Sequence, residues 1–200
     1  MKVSKRGITL IEIVVASSLS LVVLGLLVML FVPAKMSCVT GDSKAEVNMN
    51  AYRSLSRLTR DLQDSSSSSI TYDLAATPTV PSAISFMSPY DRYGRFMTEA
   101  STGKAVWQSY TIYYLPSGSK KLLRKTVAIT PTTTPARLTL AELKKQLDGT
   151  GDTAAFDASS FIITPKTAYS TYVDISIGTE IVYSSRSNAI KLEGRAYPQN

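Results

Sequence analysis

Ser117 and Lys120 stand three residues apart, the spacing at which some acyl-transfer enzymes hold a serine nucleophile beside its lysine. That chemistry needs the pair on one face of a helix. The segment Pro116-Ser117-Gly118-Ser119 reads instead as a turn, so catalysis there is not expected. Asp148, Asp152 and Asp157, with Gly149 and Gly151 between them, offer oxygen ligands suited to calcium, but their spacing departs from the EF-hand pattern. A solvated Asp/Gly turn is the simpler reading, and no metal or other cofactor is expected. The 200-residue chain has no histidine, which removes Ser-His-Asp and Cys-His catalysis and His-ligated zinc. Its single cysteine, Cys38, excludes a disulfide within the chain. The sequence therefore does not read as an enzyme.

Basic residues offer a second kind of chemistry. The formal net charge is +7. Arg53, Arg57, Arg60, Lys120, Lys121, Arg124, Lys125, Lys144 and Lys145 are candidates for a basic surface. Tyr110, Tyr113 and Tyr114 are candidates for stacking against single-stranded nucleic acid. Strand tyrosines are more often core or cross-strand partners, so DNA stands as a minor partner expectation.

The most informative charged residue is Glu12. From Ile8 to Val32 the chain carries no other charge. At about 1.5 Å per helical residue, that run spans a hydrocarbon core of roughly 30 Å. Lys2, Lys5 and Arg6 precede it, which by the positive-inside rule leaves the N-terminus cytoplasmic and sends the rest of the chain across the membrane. The run is longer than the about 7–15 residues of a secretory signal. A plain signal anchor fits its length but gives Glu12 no role. A carboxylate in a membrane helix costs roughly 2.5–3.5 kcal/mol at mid-bilayer and less near the interface, and such a residue usually has a partner.

Lys5-Arg6-Gly7 followed by Ile8-Thr9-Leu10-Ile11-Glu12-Ile13-Val14-Val15 resembles the class III signal of type IV pilins and type II secretion pseudopilins. In that family a short basic leader ends in glycine, a prepilin peptidase cuts after it and methylates the new N-terminus, and the fifth residue after the cut is glutamate. The resemblance implies processing between Gly7 and Ile8, with leader charges Lys2, Lys5 and Arg6, and assembly through Glu12. Two departures are visible: Ile8 stands where the family usually has phenylalanine, and the usual mid-helix proline is absent, Pro33 coming later. The physics is consistent with the resemblance. An α-amine on Ile8 of one subunit and Glu12 of another would compensate each other in a dry helical bundle, and a buried ion pair is well suited to fixing register.

Positioning these residues requires an extended helix and a β-rich head. Lys35 to Asp64 reads as an amphipathic continuation, with Tyr52, Leu55, Leu58 and Leu62 at spacings of three, three and four. Val47 and Met49 extend the apolar set less cleanly, and Gly41 is the expected weak point. Ser65-Ser66-Ser67-Ser68-Ser69 should end the helix. Strands are expected at Ala83–Met87, at Ser109–Leu115 and at Lys121–Ala128. Thr126–Pro135 reads as a Thr/Pro-rich loop, and Thr139-Leu140-Ala141-Glu142 as a capping box opening a short helix. Tyr172–Ile177, Glu180–Tyr183 and Ala189–Ala196 read as a closing meander with Gly178-Thr179 as a tight turn.

The expected class is α+β: a long N-terminal helix, its first half transmembrane, packed on an antiparallel sheet, as in pilins. The expected organisation is a leader at 1–7, a transmembrane or filament-core helix at 8–33, its amphipathic continuation at 34–64, and a head at 65–200. Arg53-Ser54-Leu55-Ser56-Arg57-Leu58-Thr59-Arg60-Asp61-Leu62 resembles the first-helix pattern of PilW-type minor pilins and J-type pseudopilins. Ile84-Ser85-Phe86 and Leu122-Leu123-Arg124 resemble strand signatures of the same families. The resemblance implies a minor filament subunit of the inner membrane. Its implied partners are other pilin or pseudopilin subunits, the prepilin peptidase, the inner-membrane assembly machinery and membrane lipid.

Overall fold

The computed structural model describes residues 9–74, 82–166, 172–183 and 186–199. The chain divides into two compact units, Met1–Lys44 and Ala45–Asn200.

The first helix, α1 (Leu10–Gln63), is assigned without interruption through Pro33 and Gly41, so Gly41 does not end it. Residues from Leu10 to Val39 all expose their side chains. Among the described residues this is the one helix long and apolar enough to cross a membrane. Its hydroxyls are satisfied within the helix: Ser17 donates to Ile13 O at 2.6 Å, Ser20 to Ala16 O at 2.8 Å and Thr40 to Met36 O at 2.8 Å. Such back-bonding suits a helix in an apolar medium, where free polar groups are costly. Cys38 is an exposed free thiol.

In the second unit, helix residues Val47, Ala51, Leu55, Leu58 and Leu62 form the buried stripe. Their spacings of four, four, three and four keep one face inward. Ala51, not Tyr52, continues the stripe: Ala51 is fully buried and Tyr52 is 67% exposed. Val47 joins the core and Met49 does not. Beyond Gln63 the serines are structured. Ser65 and Ser69 are buried, and Ser67–Ser69 forms one 3-10 turn. Ser69 Oγ donates to Ser66 O at 2.8 Å and accepts from Met87 N–H at 3.1 Å. Short hydroxyls thus bond to backbone where an apolar side chain could not.

A five-stranded antiparallel sheet follows, in the order β1 (Thr71–Asp73), β2 (Ala83–Ser88), β3 (Trp107–Tyr114), β4 (Leu122–Thr132) and β5 (Asp152–Ala155). Between β4 and β5 lies α2 (Leu140–Gln146), opened by the expected capping box of Thr139 and Glu142. The strand β4 runs to Thr132, where a loop was expected from Thr126; Thr126 pairs with Thr111 and Ala128 with Ser109. β5 pairs only with Leu122 to Arg124, so the far part of β4 has an open outer edge on which Pro131 is tolerated.

A second antiparallel sheet contains β6 (Ala158–Lys166), β7 (Tyr172–Tyr183) and β8 (Arg186–Ala196). Gly178 and Thr179 are not a turn: both lie inside β7, Gly178 opposite Ser160 and Lys191. The glycine answers a contact and not a bend, because a Cβ there would collide with Ser160 Oγ. The two expected segments Tyr172–Ile177 and Glu180–Tyr183 are therefore one strand. Along β7, Val173, Ile175 and Ile177 alternate with Asp174 and Ser176. With Phe161 and Ile163 of β6 they join Leu55, Leu58, Leu62, Ile84, Phe86 and Tyr113 in the main core. The opposite face of the first sheet carries Ala83, Ile112, Tyr114 and Leu123, closed by Leu143 of α2.

Candidate functional site

Between Leu10 and Val39 the helix of the first unit carries one carboxylate, Glu12. Thr9 stands before Leu10, the first helical residue, and Glu12 is three residues on. Thr9 N–H donates to Glu12 Oε2 at 2.8 Å, Thr9 Oγ1 donates to the same oxygen at 3.0 Å, and Glu12 N–H donates to Thr9 Oγ1 at 3.4 Å. This is a reciprocal helix cap, in which a residue at the cap and one at the third position satisfy each other's backbone donors. The carboxylate also stands at the helix N-terminus, where negative charge is favoured by the macrodipole. The sequence contained this cap, but the apolar run drew attention to Glu12 as a lone charge and away from Thr9. Both contacts fall on Oε2, and among the described residues Oε1 accepts no hydrogen bond. Gly7, Ile8, Lys2, Lys5 and Arg6 lie outside the described residues.

The second unit holds a groove of about 840 Å³ against the last turns of α1. Five arginines line it: Arg53, Arg57 and Arg60 from α1, Arg92 from the loop after β2, and Arg124 from β4. Its presence follows from the β2–β3–β4 pairing. Ile84, Tyr113 and Arg124 stand opposite one another at one end of the face beneath the helix; Ser88, Ser109 and Ala128 stand opposite one another at the other. Large side chains fill the first end and small ones the second, so space is left above the buried Ser88 and Ser109 and the exposed Thr126.

The acidic groups at this groove are engaged. Asp61 Oδ2 accepts from Tyr113 Oη at 2.8 Å and from Arg124 Nε at 3.1 Å. Asp64 Oδ2 accepts from Tyr90 Oη at 2.7 Å. Asp91 accepts from the amides of Arg95 and Tyr93 and from Arg95 Nε at 2.9 Å. Bonds led by the Arg95 amide hold the Asp91 carboxyl below its ordinary range. Burial, and then the charge of Asp61, push the Tyr113 phenol up. Among the described residues, Arg53, Arg57, Arg60 and Arg92 form no ion pair with a carboxylate. Arg92 lies over the Tyr93 ring, 4.7 Å from its centre.

The remaining sequence candidates separate. Ser117 and Lys120 lie on the turn after β3, where Ser119 N–H donates to Pro116 O at 3.0 Å and Gly118 has φ of 74°. Asp148 accepts from Lys125 Nζ at 2.7 Å and from Thr150 Oγ1 at 2.6 Å. Among the described residues no three His, Cys, Asp or Glu side chains gather as metal ligands. Tyr110, Tyr113 and Tyr114 are all buried, and their hydroxyls donate to Ala136 O, Asp61 and Thr150 O. Lys144 lies 3.8 Å from Asp73, away from the groove lining. Arg92 and its loop were not signalled by sequence, because nothing in Tyr90-Asp91-Arg92 shows which way the loop folds. Compared with family models, curated proteins and solved structures, the chain matches none.

Proposed function

We propose that this chain is a structural subunit, of the minor class, of a type IV pilus or a type II secretion pseudopilus, and that it acts by assembly and not by catalysis. The observation that carries the reading is the wholly exposed apolar surface from Leu10 to Val39, broken by the single carboxylate of Glu12 at its start. A soluble domain does not leave an apolar face of that extent open to water. Lipid covers it before assembly, and neighbouring helices cover it afterwards.

On this reading, prepilin peptidase cuts after Gly7 and Ile8 becomes the methylated N-terminus. Lys2, Lys5 and Arg6 hold the leader in the cytoplasm, the helix rests in the inner membrane, and the β-rich unit is extracytoplasmic. The assembly machinery then moves the helix into a stack of similar helices. Glu12 meets the α-amine of a neighbouring subunit, so neither charge is left uncompensated in the dry core. The β-rich unit built on Ala45–Gln63 and two antiparallel sheets supports the same reading, since a head of that class suits a pilin.

The test is the N-terminus of the protein taken from native membranes, by intact mass and N-terminal sequencing. A mature chain beginning at Ile8 supports the proposal. A chain still beginning at Met1 overturns it and leaves an anchored module that does not polymerise.

A further inference from the structure

We infer that the arginine groove of the second unit binds an extended, carboxylate-bearing segment of another polypeptide. The groove holds more cationic than anionic groups. Asp61 and Asp91, the acidic residues of the lining, are each held by an arginine of their own, Arg124 and Arg95. Arg53, Arg57 and Arg60 form no ion pair with a carboxylate among the described residues, and Arg60 meets the Tyr90 hydroxyl. Their guanidinium forks match carboxylates two bonds at a time, which a lysine surface would not do.

Spacing favours a polypeptide. Arg53, Arg57 and Arg60 succeed one another along α1 at about 6 Å and about 4.5 Å of helix rise. Alternate side chains of an extended peptide recur at about 6.8 Å. An acidic residue at every second position would therefore meet Arg53 and Arg57 together. Thr126 Oγ1, which accepts from Arg124 Nη1 at 3.1 Å, lies exposed on the floor and keeps its own proton to donate to a peptide carbonyl.

Stacking disfavours single-stranded nucleic acid as the occupant. Binding of that kind uses open aromatic faces. Tyr90 packs edge-on against Phe96, with ring centres 5.6 Å apart, and its hydroxyl is held by Asp64. Tyr93 lies outside the lining, and its ring already carries the guanidiniums of Arg92 and Arg95, 4.7 and 5.3 Å from its centre. Of the two aromatic residues in the lining, Tyr52 and Tyr90, Tyr52 keeps most of its surface exposed and offers a single open ring.

The experiment uses the full chain in detergent and a fluorescein-labelled peptide of alternating Glu and Ser, read by fluorescence anisotropy at low salt. Arg53→Gln with Arg57→Gln should weaken binding about tenfold or more, because two charge-assisted contacts are lost. Lys120→Gln with Lys121→Gln removes the same charge outside the groove and should weaken it less than about twofold. All four positions are exposed, so an unchanged melting temperature reports an intact fold in each variant. Equal loss in both pairs would reduce the effect to overall charge and overturn the inference. So would the absence of peptide binding, or tighter binding of an oligo-dT strand lost in the same arginine variants. The binding is read on single chains, so its outcome is independent of whether the protein forms filaments.

Discussion

Tyr113 of β3 donates its phenol to Asp61 of α1 at 2.8 Å, and the same carboxylate oxygen receives Arg124 of β4 at 3.1 Å. Tyr113 is fully buried, while Asp61 and Arg124 are each less than one-fifth exposed. One carboxylate therefore ties the helix to two strands at the inner wall of the arginine groove. Tyr113→Phe should destabilise the second unit by about 1 kcal/mol, since Asp61 keeps Arg124. Asp61→Ala should cost more, about 2–3 kcal/mol, because it leaves a buried hydroxyl and a partly buried guanidinium without their acceptor. Urea denaturation of the full chain in detergent, followed by near-UV circular dichroism, measures both. Equal costs for the two variants would show that the ion pair with Arg124 adds nothing beyond the Tyr113 hydrogen bond.

A second contact depends on an absent side chain. A Cβ on Gly194 would stand 3.1–3.3 Å from three side-chain atoms of Leu55, which is itself buried. Gly194→Ala should therefore destabilise by about 1–2 kcal/mol through overpacking. Leu55→Ala alone should cost about 2–5 kcal/mol by opening a cavity. If the two residues act on one space, the double variant should be more stable than the sum of its parts by about 1 kcal/mol. Additive costs in the same urea experiment would reject that shared-space account.

The parts legible in the sequence are those set by local rules. The apolar run, the capping box at Thr139 and the strands at Ala83 and Ser109 follow from pattern and propensity. Failures occurred where a distant partner decided. Gly178 has the local character of a turn, yet it lies in mid-strand because Ser160 across the sheet needs the room. Tyr52 has the spacing of a core residue, yet Ala51 takes the buried position once the helix settles on two sheets. The serines after Gln63 read as a polar break, and their burial depends on backbone groups of Ser66 and Met87 that only the fold brings near. The groove is of the same kind. Its three helical arginines were visible at helical spacing, but Arg92 and the small residues of its floor come from separate segments.

Acid should weaken one specific surface contact. Hydrogen bonds from Lys125, then Thr150, hold the Asp148 carboxyl well below its usual range. A carboxylate whose folded value is depressed stabilises the fold fully above its unfolded value of about 3.9, and loses that contribution as pH falls below it. Asp148→Asn should therefore flatten the fall in melting temperature below about pH 4 and leave the slope near neutrality unchanged. A slope below pH 4 identical to that of the parent chain would remove Asp148 from the acid response.

Glu12 has one observed role, the cap, and one proposed role, assembly, and a set of substitutions separates them. Inside one chain it caps the helix with Thr9; in a filament it would meet the amine of a neighbour. Glu12→Gln keeps an acceptor for the cap but removes the charge. Thr9→Ala keeps the charge but removes the reciprocal hydroxyl, at a cost to the helix terminus of about 0.5–2 kcal/mol. If the charge registers subunits, Glu12→Gln should fail to enter filaments as completely as Glu12→Ala, while Thr9→Ala should still enter them. If the cap is the whole function, the order reverses: Glu12→Gln should assemble, and Thr9→Ala should resemble Glu12→Ala. Filaments sheared from cells and quantified by immunoblot, with total membrane protein as the reference, read the difference. The comparison bears on assembly alone, because each variant retains the apolar run from Ile13 to Val32, which by length and composition is able to cross a membrane.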